Sequence, residues 1–418
     1  MIAGLFLLLF ALQHAVAWTL LGLGLRHAAR HGAEVPAALA GRVDPASATR
    51  SREYTLARGR LAIVSSAWDA AVTLALLFSG VLPALDARLG ALGLAGAHRF
   101  VAFLVALVAI TSLTGLPFSL YATFGLEARF GFNRTTPALW LRDRAKGLLL
   151  AAALGLPLLY AAHAFRARAG GAWWLWLFLF LAALQLALVW AWPALLAPLF
   201  NRYAPLPGGE LRDRLTALAE RTGFRTRGLY VMDASKRSGH ANAFFTGLVR
   251  PRIVLFDTLV DRTPPGEAVA ILAHEIGHYR ARHVQRGLAL GLAAQLAGLW
   301  VLARLGEWPP LFRAFGFPGP SFHALLALAA LCGSSFTFFL SPLGAWISRR
   351  HEVQADRYAV QVTGDGPALA SALARLGEQN LSNLAPHPWV VAWSHSHPTL
   401  PQRLAAIEAA YPRSSRRV

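Results

Sequence analysis

The sequence predicts a mainly α, polytopic membrane protein: seven transmembrane helices and a small α+β domain interrupted by the last two of them. Three observations predict this class. Hydrophobic residues make up 56% of the 418 and charged residues only 15%, with a mean hydropathy of +0.44, a composition suited to lipid rather than water. Several runs reach the ~20 apolar residues needed to cross ~30 Å of hydrocarbon at about 1.5 Å per residue. Two polar stretches flank the last pair of runs and carry the patterns of a folded domain.

The composition also excludes alternatives. A chain with 11% aromatic residues has too much surface to bury to stay disordered. The single cysteine, Cys332, excludes a disulfide-stapled domain and confines any metal site to histidine and carboxylate ligands. The formal charge of +19 is assigned to loops beside a membrane, not to nucleic-acid binding, because long apolar runs separate the basic clusters.

The runs lie near residues 2–25, 60–85, 99–124, 146–165, 172–197, 286–305 and 322–347. The fifth carries Trp173, Trp174 and Trp176 at one end and Trp190 and Trp192 at the other, as expected for indoles at two membrane interfaces. The first resembles a cleavable signal peptide over residues 5–17. No Lys or Arg precedes it and its hydrophobicity continues to Leu25, so a retained helix is expected. Arginines cluster in the first loop (Arg26 to Arg60) and the third (Arg129 to Arg144, with Lys146), while the alternate connections carry only pairs. Basic loops stay in the cytoplasm, which puts the N-terminus outside and both long polar segments, 198–285 and 348–418, inside. The expected organisation is therefore 1–197 with five transmembrane helices, 198–285 as a first domain segment, 286–347 as helices six and seven, and 348–418 as a second segment.

Within the first segment, 208–222 reads as an amphipathic helix and 228–234, 242–248 and 252–260 as β-branched or aromatic stretches between turns. Thr263, Pro264 and Pro265 open a further helix, with Glu267 in its first turn where the helix dipole favours an anion. That helix carries HExxH: His274, Glu275, Ile276, Gly277 and His278. Residues four apart on a helix share a face about 6 Å apart along the axis, so both imidazoles can hold one zinc ion while Glu275 reaches a water beside it. Two surface histidines are the competing reading of the motif alone. Glu352 and Asp356, one turn apart after the last span, strengthen the first reading. Glu352 can complete a His2Glu set and Asp356 can hydrogen-bond a ligand histidine. His283 and His351 are the fallback third ligands.

With these residues in view the chain resembles the integral-membrane zinc metalloproteases that include the type 1 CAAX prenyl endopeptidase. The resemblance rests on 130–135 (FGFNRT), 197–212 (APLFNRYAPLPGGELR), 231–259 (VMDASKRSGHANAFFTGLVRPRIVLFDTL), 274–278, 349–356 and 396–404 (SHPTLPQRL), in that order. It implies seven helices ringed around a water-filled chamber capped by a zincin-type (gluzincin) domain. It implies His274, His278 and Glu352 as zinc ligands and Glu275 as general base, with Asn242, His397 and Arg403 lining the site.

The same residues make chemical sense. Glu275 moves the proton of the attacking water, and His397 is a candidate donor to the developing oxyanion. Asn242, Ala243 and Phe244 begin a strand that can pair with an extended substrate, and the resemblance implies Arg403 as a further substrate contact. Plainer readings stay open: Asn242 capping a turn, His397 satisfied before a proline, Arg403 paired with Glu352 or Asp356. Asp69, Gln13, His14, Gln185 and Gln295 face an aqueous interior or one another, because lipid would penalise them.

The expected function is a zinc metalloendopeptidase acting as a monomer on membrane-associated or prenylated CAAX-type C-terminal peptides. The alternatives are a quality-control protease for short hydrophobic polypeptides and a non-enzymatic seven-helix transporter or receptor. All but Lys146 and Lys236 of the 40 basic residues are arginine, a bias that suggests a bacterial inner membrane.

Overall fold

The computed structural model describes residues 1–246 and 251–410. In chain order the helices are α1 (Ile2–His31), α2 (Pro45–Phe78), α3 (Val81–Ala91), α4 (Gly96–Leu120), α5 (Pro137–Arg168), α6 (Trp173–Ala191), α7 (Glu210–Arg221), α8 (Asp257–Val260) and α9 (Pro265–Arg280). They continue as α10 (His283–Leu305), α11 (Pro309–Arg313), α12 (Phe322–Thr337), α13 (Ser341–Thr363), α14 (Gly366–Gln379), α15 (Pro388–Ser394) and α16 (Leu400–Ala410). Among the described residues, seven spans are long and apolar enough to cross a membrane: α1, α2, α4 with the turn that follows it, α5, α6, α10, and α12 continued by α13.

Local chemistry sets the starts of several spans. Asp44 and Thr136 each accept a hydrogen bond from the backbone three residues on, with Pro45 and Pro137 opening α2 and α5; Ser321 caps α12 in the same way. The ends depart from the hydropathy pattern. The second apolar run does not continue to residue 85 as one helix, because Gly80, at φ 77°, turns the chain and α3 starts anew. The fifth leaves α-geometry after Ala191 for a wider π-type turn over Trp192–Leu196. The seventh bends at the 3₁₀ turn Phe338–Leu340, with Pro342 in the first turn of α13. After this bend α13 runs on beyond the apolar stretch, so one helix carries both the end of the last span and Glu352.

The spans do not close on a common packed core. Only 6–28% of each apolar window is buried within the protein. One apolar cluster ties the spans together at a single end, through Phe10, Leu77, Phe100, Phe103, Phe312 and Leu328. Between α6 and α10, Gln185 Nε2 donates to Gln295 Oε1 at 2.8 Å, which satisfies two polar groups helix to helix. His14 contacts the Phe10 carbonyl oxygen at 2.9 Å, and Asp69 is exposed.

At the opposite end lies a four-stranded sheet of β1 (Tyr203–Pro205), β2 (Leu229–Met232), β3 (Ala243–Thr246) and β4 (Arg252–Phe256), in the order β1-β2-β4-β3. β2 and β4 are parallel and the other pairs antiparallel, so β3 is an edge. The third expected strand stops at Phe256, its last four residues forming α8, and the short strand β1 carries no sequence signal. Positions 247–248 of the second expected strand, and 411–418 of the last segment, lie outside the described residues. One core joins Leu215, Ile253, Leu255, Leu272 and Ile276 of the first polar segment to Ala359, Leu369 and Leu404 of the second, and to Leu39, Val43 and Ala48 of the first loop. The third loop meets the same domain: Arg134 N–H donates to the Arg237 carbonyl oxygen at 3.1 Å, Gly239 N–H to that of Phe132 at 3.0 Å, and Arg237 grips Asp143 of α5 through two nitrogens. Both basic loops therefore share a face with the polar segments.

Candidate metal centre

The site forms where α9 lies against α13. Gly277 makes the approach possible: a Cβ there would sit 2.9 Å from Ala355 Cα and 3.1 Å from its carbonyl oxygen. Glu267, in the first turn of α9, is buried and accepts hydrogen bonds from Arg375 Nε at 2.7 Å and Ser371 Oγ at 2.7 Å, fastening α14 to α9. Its position fits the helix dipole, but these partners are what retain a buried carboxylate.

His274, His278 and Glu352 converge with one ligand atom each, all within 4.8 Å of one another. The two Nε2 atoms face each other at 3.2 Å, and Glu352 oxygens lie 3.5 Å from His274 Nε2 and 3.2 Å from His278 Nε2. Two ligands at ~2.0–2.1 Å from a tetrahedral zinc are about 3.3 Å apart, so this spacing fits a metal ion. Glu352 Oε2 is buried and has no hydrogen-bond partner among the described residues, an arrangement that a cation would relieve. The donor set therefore fits a divalent metal on its own geometry.

The surroundings orient this set. His274 Nδ1–H donates to Asp356 Oδ1 at 2.8 Å, which turns Nε2 towards the cluster. Arg403 is buried and holds Asp356 through Nε at 2.8 Å and Nη2 at 2.7 Å, with Nη1 3.6 Å from Glu352. Burial works against a charged His274, yet the hydrogen bonds to Asp356 and Glu352 prevail and raise its pKa to about 9. Burial also raises the pKa of Glu275, and the nearby His274 and His278 only partly oppose it.

His397 reaches the cluster from the loop after α15, its Nε2 3.4 Å from Glu352 Oε1. Ser396 Oγ lies 2.8 Å from Nδ1; with the hydroxyl donating there, the ring hydrogen sits on Nε2 and faces the site. The surrounding protein lowers the His397 pKa, first through burial, which favours this neutral donor form. Arg349 holds the loop, its Nη1 donating to the carbonyl oxygens of Val391 at 2.8 Å and His395 at 2.9 Å.

Not every expected residue meets the cluster in the expected way. Arg403 was expected as a substrate contact, but its guanidinium is committed to Asp356, the pairing alternative, because the buried carboxylate requires a countercharge. Asn242 precedes β3; its carbonyl oxygen accepts from Phe256 N–H at 3.0 Å and its side chain accepts from Ala243 N–H at 2.8 Å. Ala243 packs towards α9, but Phe244 belongs to the other face of the sheet with Met232 and Val254, so it can offer the site only its main chain. His283 touches the far side of His278, not the cluster, and His351 stacks on His283 at 3.8 Å. Arg349 and Gly277 escaped functional reading; the only signal for Gly277 was a glycine inside HExxH.

Seven spans joined to a helix-borne His2Glu cluster define a membrane-embedded metalloprotease. Residues 24–202 match the CAAX prenyl protease N-terminal region of five membrane helices, and residues 205–411 match Peptidase family M48. The CAAX prenyl protease 1 homolog of Oryza sativa subsp. japonica is 36% identical over 387 residues, 90% of each chain. CAAX prenyl protease 1 of Saccharomyces cerevisiae is 32% identical over 404 residues, 90% of this chain and 88% of that one. The crystal structure of S. mikatae Ste24p superposes with a TM-score of 0.89 at 29% identity, covering 98% of both chains. The chain belongs to peptidase family M48. It is an integral, multi-pass membrane endopeptidase that acts on peptide or protein substrates. These relatives are eukaryotic and give the expected bacterial inner membrane no support.

Proposed function

We propose that the protein uses zinc to hydrolyse peptide bonds in prenylated CAAX-type C-terminal peptides delivered from the membrane. The observation that carries this reading is the convergence of His274, His278 and Glu352 within 4.8 Å, with the half-buried Glu275 next in sequence to one of them. These three side chains would hold the zinc ion. The ion, when bound, supplies Lewis acidity that polarises the scissile carbonyl and makes a water nucleophilic at neutral pH. Glu275 takes the proton of that water and returns it to the leaving amine. His397 donates from Nε2 to the oxygen that gains charge. Asp356 keeps the proton of His274 on Nδ1, and Arg403 holds Asp356 in place. The open edge of β3, with Asn242, Ala243 and Phe244, holds the extended peptide through main-chain hydrogen bonds.

The relatives named for CAAX prenyl proteolysis support the substrate class. So does a cleft of about 650 Å³ lined by Leu21, Leu25 and Val390 together with Asn242 and His395, apolar enough for a lipid chain beside the peptide. A strand edge that grips backbone does not read side chains, which favours unprenylated hydrophobic peptides as second substrates. One chain carries every ligand, consistent with a monomer. The ligands come from two polar segments, 198–285 and 348–418, that act as one protease domain divided by the last two spans. The basic loops on the face of that domain support a cytoplasmic active site.

Metal analysis and a quenched prenylated-peptide assay test this reading together. Glu352→Ala loses zinc and activity, whereas Glu275→Ala keeps zinc and loses activity; full zinc and activity in Glu352→Ala would refute the ligand set. A reporter active only outside the cytoplasm, fused after Val418, gives no signal if the orientation is right.

A further inference from the structure

His274 and His278 are held by different kinds of partner. The Nδ1 of His274 meets a carboxylate, that of Asp356. The Nδ1 of His278 instead meets the Nδ1 of His283 at 2.9 Å, and the other nitrogen of His283 lies 3.0 Å from Gln354 Oε1. The connection between α9 and α10 brings His283 back: Arg282 lies in left-handed conformation at φ 55°, so α10 begins directly against the end of α9. α13 serves both helices from adjacent stripes, with Glu352 and Asp356 against α9 and His351 and Gln354 against the start of α10.

Two ring nitrogens at 2.9 Å share one proton, since two hydrogens clash there and two lone pairs repel. The Gln354 oxygen accepts, so the Nε2 of His283 carries a hydrogen and its Nδ1 offers a lone pair. His278 must then hold its hydrogen on Nδ1 and present a free lone pair at Nε2, the atom that faces His274 and Glu352. The reversed chain, with His283 donating to His278, would put a hydrogen on His278 Nε2 and deny it to a metal. We propose that His283 is a positioning residue for the metal centre, a neutral relay through which Gln354 fixes the tautomer and ring orientation of His278. The relay rests on the zinc reading given above. A neutral acceptor strengthens its ligand less than the Asp356 carboxylate does, so the two histidine ligands are unequal by construction.

The test is zinc affinity of the full-length protein, measured by competition with a chromophoric chelator, for the wild type and three variants. His283→Phe keeps the stack on His351 but removes the acceptor, and zinc binding weakens by about 10- to 100-fold. His283→Asn restores an acceptor near the position of Nδ1 and recovers affinity to within about threefold of the wild type. Gln354→Leu, at an exposed position that does not threaten folding, releases the tautomer and weakens binding by about three- to tenfold. If His283→Phe folds and binds zinc like the wild type, the relay is wrong. If it does not fold, Gln354→Leu decides, and unchanged affinity there overturns the relay. Equal losses in the Phe and Asn variants with none in Gln354→Leu assign His283 to packing alone and overturn it as well. A wild-type protein that binds no zinc removes the metal reading itself, an outcome distinct from all of these.

Discussion

Gly277 lies against the backbone of Ala355 with no room for a side chain: an added Cβ would be 2.9 Å from Ala355 Cα. The contact is backbone to backbone, so neither helix can yield by changing a rotamer. We predict that Gly277→Ala forces α9 and α13 apart, moves Glu352 from His274 and His278, and destabilises the protein by about 1–3 kcal/mol through overpacking. Zinc content and thermal unfolding in detergent check this. Normal zinc content and stability would show that the helices have slack.

Arg403 and Asp356 form a buried pair, and removing one partner leaves the other charge uncompensated. Arg403→Ala is expected to cost about 3–5 kcal/mol of stability. The milder Arg403→Lys keeps the charge but loses the two-nitrogen grip on Asp356, so metal affinity falls. Chelator competition on Arg403→Lys separates the assignments: a raised KM with unchanged zinc affinity would restore Arg403 to substrate binding.

His397 and Asn242 should fail in different ways when truncated. A donor aimed at a developing oxyanion matters most as charge appears, so His397→Ala lowers kcat by roughly 10² to 10³ with little change in KM. Asn242→Ala disturbs contacts made equally to bound peptide and transition state, so KM rises more than kcat falls. Steady-state kinetics on a soluble lipidated peptide, with metal content verified, decide the matter. An unchanged kcat in His397→Ala would remove it from the reaction.

The acid limb of the activity profile should report Glu275. A general base acts only when ionised, and burial raises its pKa above the 4.5 of an ordinary glutamate, so activity is lost on acidification at a higher pH than an exposed carboxylate would give. The profile of kcat/KM at saturating zinc measures this without depleting the metal. A limb at or below pH 4.5 would mean that Glu275 is not the titrating base.

The amino-acid sequence by itself determined the class. Hydrophobic length fixed seven spans because lipid tolerates no shorter apolar helix, and helical spacing put His274 and His278 on one face because four residues make about one turn. The pair Glu352 and Asp356, one turn apart after the last span, offered the third ligand, and the resemblance agreed with it. What the sequence left open are relationships between segments far apart in the chain. Hydropathy cannot register the break at Gly80 or the bend before α13, since both preserve an apolar composition and differ only in backbone angle. A three-residue strand such as β1 has no pattern of its own and exists through pairing with β2. Arg403 could equally have faced substrate or carboxylate, and the burial of Asp356, 47 residues away, decided it. His283 could have been a third ligand until the left-handed turn at Arg282 set it behind His278. Local periodicity records which residues share a helix face; only the tertiary structure decides which face meets which, because close packing between distant segments assigns each polar group its partner.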